Sequence, residues 1–139
     1  MEYRKFNNTY MLRFDLNEEI MQGLLSFCEK EQVLLAEVNA IGAISRGTVG
    51  VYDLEKQAYR KEELEGFMEI TGLSGNITSL NGKPYIHLHA SLADQHHNIH
   101  GGHVLSLTVG ATCEMFVHVL EGSVTRERDE ILGINLWKF

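Results

Sequence analysis

The chain has 139 residues, 44% hydrophobic and 22% charged, which suits one domain, residues 1–139, able to bury a core without staples. Its net charge is −7, and its 12 basic residues are scattered in small groups such as Arg4-Lys5, Arg60-Lys61 and Arg126/Arg128, so no basic stripe marks a phosphate-binding surface. The first residues lack the apolar run of a signal peptide and no stretch approaches the ~18 apolar residues of a membrane span, so the expected location is the cytoplasm, with no membrane partner.

In chain order, Tyr10, Leu12 and Phe14 alternate with polar neighbours and predict a strand over 9–14. Residues 18–31 predict a helix, because Ile20, Leu24, Phe27 and Cys28 form one apolar stripe at i, i+4, i+7 and i+8. Asp15 or Asn17 is positioned to cap it, with Glu18 and Glu19 in the first turn, where the helix dipole favours acids. From residue 33 the period changes to two. Strands are predicted at 33–41, 43–53, 57–61, 66–72, 75–79, 84–92, 103–109, 112–120 and 130–137. Gly72 to Gly75, Asn81-Gly82 and Gly101-Gly102 supply turn chemistry between them, and Asn81-Gly82 is the strongest hairpin signal. One helix followed by a run of mostly antiparallel strands argues for an α+β fold. Cys28 and Cys113 have no CxxC partner and apolar neighbours. They read as two buried reduced thiols, with a reactive thiol as the alternative.

The chemistry concentrates in the histidines. Five of the seven fall between residues 87 and 100, and His103 follows. On a strand over 84–92, Tyr85, His87 and His89 project from one face, while Ile86, Leu88 and Ala90 project from the other. If 93–102 is a loop and the flanking strands pair, His103 opens the next strand against His87 and His89. Three neutral imidazoles suit zinc, or nickel, copper or iron(II), with a fourth position open to water or a ligand. The alternative is three hydrogen-bonded structural histidines. His96, His97 and His100 lie in the polar loop and read as solvent-exposed, or as lining the mouth of the site. An HxH on a strand also suggests a cupin. That pattern wants a glutamate three or four residues on, where this chain has Leu92 and Ala93.

Glu69 and Glu114 interrupt apolar strands. Each occupies a wet strand face, or else stands beside the histidines as a partner for an imidazole N–H or a general base for metal-bound water; both are the catalytic candidates. Asn39 lines the same cavity or ends a ladder. No GxGxxG, GxxxxGK[ST] or GxSxG pattern occurs, and Ser74 and Ser91 have no triad context.

The segments Gly66-Phe67-Met68-Glu69-Ile70-Thr71-Gly72-Leu73-Ser74-Gly75-Asn76-Ile77, Asn81-Gly82-Lys83-Pro84-Tyr85-Ile86-His87-Leu88-His89 and Gly101-Gly102-His103-Val104 followed by Glu114 come in an order and spacing that resembles the plants-and-prokaryotes-conserved (PPC) family. Asn39-Ala40-Ile41-Gly42-Ala43 and Val49 add to a resemblance covering roughly residues 8–138. It implies a PPC-like α+β fold with a mixed, largely antiparallel β-sheet and one main N-terminal helix. For prokaryotic members it implies a homotrimer. It also implies a zinc site at His87, His89 and His103. Prokaryotic members are described as predicted DNA-binding proteins. Plant members carry an AT-hook for the minor groove, and this chain has no Arg-Gly-Arg-Pro hook.

Three functions follow. The first is a trimeric, zinc-binding module for a small-molecule or protein ligand, acting in regulation. The second is a DNA-associated regulator, by family analogy. The third is a metal-dependent lyase or hydrolase acting on a small molecule.

Overall fold

Alternating side chains govern most of this chain, over longer runs than the sequence suggests. In a computed structural model of residues 1–139, the elements are β1 (Glu2–Phe6), β2 (Thr9–Phe14), α1 (Ile20–Glu31), β3 (Ala36–Asp53), β4 (Ala58–Leu80), β5 (Lys83–Ala93), β6 (Ile99–Val119), β7 (Thr125–Asp129) and β8 (Ile134–Lys138). All pairings are antiparallel except a single parallel bridge, Ser79 to Thr125, between β4 and β7. The architecture is a mixed, largely antiparallel sheet carrying one helix. No helix is long and apolar enough to cross a membrane.

The helix buries Ile20, Leu24, Phe27 and Cys28, the stripe that the sequence predicts. It starts two residues later than expected, and neither Asp15 nor Asn17 caps it. Asn17 takes a positive φ of 68°. Glu19 is the N-cap instead: its carboxylate accepts from the Gln22 N–H and also from the Leu107 N–H at 3.0 Å, tying the helix start to β6. Both thiols are buried, and burial pushes each up to about 12, so neither ionises near neutrality.

Several predicted breaks are absent. The segments 33–41 and 43–53 merge into β3 across register shifts, and 57–61, 66–72 and 75–79 merge into β4. Gly72 to Gly75 is not a turn; the ladder with β5 slips once, between Ile70 and Gly72, and continues. Gly101-Gly102 likewise lies inside β6, which begins at Ile99 and absorbs 103–109 and 112–120. The strand expected at 130–137 is confined to Ile134–Lys138, and β1 and β7 are additional. Asn81-Gly82 does form the β4–β5 hairpin turn, with positive φ of 53° and 75°.

Strands β3, β4, β5 and β6 form a closed circuit. β3 pairs with β4, β4 with β5, β5 with β6, and β6 returns to β3. Inside lie Leu73, Ile77, Leu88, Leu92, Val104 and Leu107, in one apolar cluster with the helix stripe. Closure requires β5 to sit tightly between its neighbours. A Cβ on Gly75 of β4 would fall 2.0 Å from the His87 carbonyl oxygen, and one on Gly101 of β6 would fall 2.2 Å from that of Ala90. Gly75→Ala is therefore expected to cost about 2 kcal/mol or more of unfolding free energy, measured by urea denaturation; a change below about 0.5 kcal/mol would mean that β5 has room to spare.

Candidate metal centre

Directly opposed residues in an antiparallel ladder present their side chains on the same face. Along one row, Asn39 of β3 faces Ser74 of β4, Ser74 faces His89 of β5, and His89 faces His103 of β6. His87 lies two residues before His89 on the same face, opposite Asn76. Register alone thus brings the trio together on the outer side of the closed circuit, the face opposite to that of Leu88 and Ala90. One ring nitrogen from each of His87, His89 and His103 lies within 4.8 Å of the other two.

The geometry fits a cation. Nε2 of His87 is 3.2 Å from Nε2 of His89. Zinc–nitrogen bonds of about 2.0–2.1 Å at tetrahedral angles set neighbouring donors about 3.4 Å apart. Nδ1 of His103 is buried and has no hydrogen-bond partner, a cost that protein interiors rarely carry unrelieved. Tyr59 stacks on the His103 ring, with centroids 4.6 Å apart and planes 16° apart, and so fixes its orientation. Burial, and then the neighbouring imidazoles, push His103 down to about 4. Burial first, then His89 and Arg126, lower His87 as well. Both rings are neutral at pH 7, the form that ligates a metal. Zinc bound there would act as a Lewis acid with a position left for an exogenous oxygen.

The other predicted residues divide. Glu114 is exposed and lines an open groove of about 680 Å³ together with Asn39, Ser74, Ser91 and His89. Asn39 is therefore a mid-strand groove residue, not the end of a ladder. Glu69 is exposed and faces Ala93, four residues beyond His89, and it lines neither groove bordering the histidines. The expected loop at 93–102 shortens to a turn at 94–98. There Asp94 accepts from the N–H groups of His96 and Asn98, and His97 takes a positive φ of 64°. His96 and His97 are exposed. His100 is half-buried and borders neither histidine groove. Its Nδ1 is 2.8 Å from Glu62 and its Nε2 is 3.4 Å from Asp94. Those hydrogen bonds, Glu62 first, raise its pKa, while the Asn98 amide leads the contacts that hold Asp94 well below the usual carboxylate range.

Sequence reasoning missed Arg126. It is buried under the β7–β8 hairpin and donates to Thr78 Oγ1 at 2.8 Å, to the Asn135 carbonyl at 2.8 Å and to Asn76 Oδ1 at 2.9 Å. Its guanidinium carbon stands 4.5 Å from the centre of the Tyr85 ring. It lines a second groove with His87 and His103. The run Thr125-Arg126-Glu127-Arg128-Asp129 contains no apolar residue, so nothing in its pattern signals that one of its charges is covered.

A family model for the Plants and Prokaryotes Conserved (PCC) domain matches residues 1–121, and the chain belongs to that family. Among solved structures, a protein of Bacteroides thetaiotaomicron, provisionally named as DNA-binding, superposes with a TM-score of 0.96 at 30% identity, covering 99% of this chain and 96% of that one. A metal-containing protein of Archaeoglobus fulgidus superposes with a TM-score of 0.88 at 35% identity, over 99% and 96% of the two chains. A plant- and prokaryote-conserved protein of Pyrococcus horikoshii does so with a TM-score of 0.87 at 27% identity, over 99% and 94%. No curated protein matches the chain.

Opposite titrations are expected at the two histidine environments of metal-free protein. Between pH 6.5 and about 4, unfolded chains protonate the residue-103 imidazole while the folded state refuses the proton. The stability His103 contributes is full above pH 6.5 and lost on acidification through that window. His100 contributes stability that is full below 6.5 and lost as pH rises through its raised folded pKa. Imidazole NMR titration checks both: His100 should titrate above 6.5 and His103 near 4. A His103 midpoint near 6.5 would contradict the burial assigned to it.

Proposed function

We propose that this member of the Plants and Prokaryotes Conserved family, as one domain over residues 1–139, is a zinc-binding module that holds the ion through His87, His89 and His103 and presents it to a small-molecule or protein ligand. The observation that carries this reading is the convergence of three imidazoles with a 3.2 Å Nε2–Nε2 spacing beside an unpartnered buried ring nitrogen. The metal-containing relative from Archaeoglobus fulgidus, at 35% identity, supports it. Another divalent transition metal satisfies the same donor set.

Assembly as a homotrimer belongs to the same reading. Met11, Ile41 and Phe116 are exposed, with Ile41 and Phe116 lining the groove that His89 borders, and such apolar side chains favour burial against another copy. A cytoplasmic setting suits two unpaired cysteines. DNA-associated regulation is a second reading, favoured by the provisional name of the Bacteroides relative and opposed by the net charge of −7. A metal-dependent lyase or hydrolase is a third, favoured by Glu114 in the groove beside His89.

Zinc titration against a competing chelator tests the proposal. Wild-type chain is expected to bind one equivalent. His87→Ala and His103→Ala are expected to lose more than about a hundredfold in affinity with the helical circular dichroism unchanged. Full zinc retention by either variant would refute the ligand set. Retention on duplex DNA that falls linearly with log salt would move the conclusion to the second reading.

A further inference from the structure

The groove lined by His87, His103 and Arg126 has an unusual charge balance. None of its other lining residues is acidic, although the chain carries 19 acidic residues against 12 basic. Arg126 forms no salt bridge, and all three of its hydrogen bonds go to neutral acceptors, Thr78, Asn76 and the Asn135 carbonyl. A guanidinium has five N–H donors, so two remain. A buried cation without a counter-charge is expensive, and its desolvation already lowers the Arg126 pKa.

Its position is set by the ladder. Asn76 faces His87, and Thr78 faces Tyr85. Arg126 bonds to Asn76 and Thr78 and lies over the Tyr85 ring, so three corners of this four-residue patch hold it and His87 is the fourth. The guanidinium therefore opens onto the same groove as His87 and His103, walled by Tyr52, Tyr59 and Tyr85.

We propose that this groove binds a small two-headed anion, with one carboxylate against the Arg126 guanidinium and a second oxygen donor reaching the ion held by His87, His89 and His103. This assignment rests on the zinc-binding reading and adds a ligand class to it. A carboxylate supplies the charge that Arg126 lacks and accepts its remaining N–H donors, and the open metal position takes the other end. A ligand with only one of the two groups gains only one of the two contacts.

The test uses the full chain loaded with cobalt(II), whose visible spectrum reports a new oxygen donor, and malonate as the probe, with acetate and malonamide as controls. Malonate is expected to perturb the spectrum saturably and about tenfold or more tighter than either control, the factor associated with a charge-assisted hydrogen bond. Arg126→Gln should bring malonate to the level of acetate. Asn76→Asp keeps the buried arginine and supplies it with an internal carboxylate, so it should weaken malonate in the same way even if Arg126→Gln does not fold. Malonate binding unchanged in Asn76→Asp, or no tighter than acetate in wild type, would overturn the anion site while leaving metal binding intact. Failure of the wild-type chain to take up cobalt at all would remove both readings.

Discussion

Strand β5 is paired along both edges, to β4 from Lys83 to Ala93 and to β6 from His89 to Ala93, and the candidate site depends on that double pairing. It turns four long strands into a closed circuit. It also fixes His89 directly opposite His103 with no freedom to slip, because a one-residue shift would turn Leu88 and Leu92 outward and the histidines into the core. Gly75 and Gly101 make the pairing sterically possible, and Leu88, Ala90 and Leu92 anchor it from inside. The histidines sit on the rigid outer side of the same residues, so their spacing comes from the packing of the core and not from a loop.

Two kinds of charge control share this outer face. Burial first, and then neighbouring charges, lower the pKa of His87 and of His103, which favours the neutral form that ligates a metal. Arg126, in contact with the patch that contains His87, is kept charged by its chemistry and left without an acid. On the proposed reading, imidazole ligands for a metal beside an unpaired guanidinium suit a molecule that coordinates the metal and carries negative charge. The β7–β8 hairpin, at one end of the sheet, supplies that arginine.

Much of the site is legible in the sequence, because a period of two places His87 and His89 on one face and leaves Leu88 and Leu92 for the core. The helix was equally legible from its apolar stripe, and Asn81-Gly82 marked its hairpin by chemistry that few other dipeptides share. The misplaced strand breaks have a common origin in glycine. Gly72, Gly75, Gly101 and Gly102 read as turns, yet they lie within strands where neighbouring backbones approach closely or the ladder slips, and a residue without a side chain contributes no period to distinguish the two uses. Strands β1 and β7 were invisible because they are mostly polar, and the burial of Arg126 followed from a long-range contact with β4 that no local pattern encodes. Glu69 and Glu114 looked equivalent as acids within apolar runs; register separates them, since only Glu114 shares a groove with a histidine of the trio.

X-ray absorption at the zinc edge of the loaded, untagged chain would test the central claim most directly. Three imidazole nitrogens and one further light donor at about 2.0–2.1 Å, with the multiple-scattering signature of histidine rings, is the predicted shell. A six-coordinate shell of oxygens, or a shell with fewer than three imidazoles, would contradict a metal centre built from His87, His89 and His103.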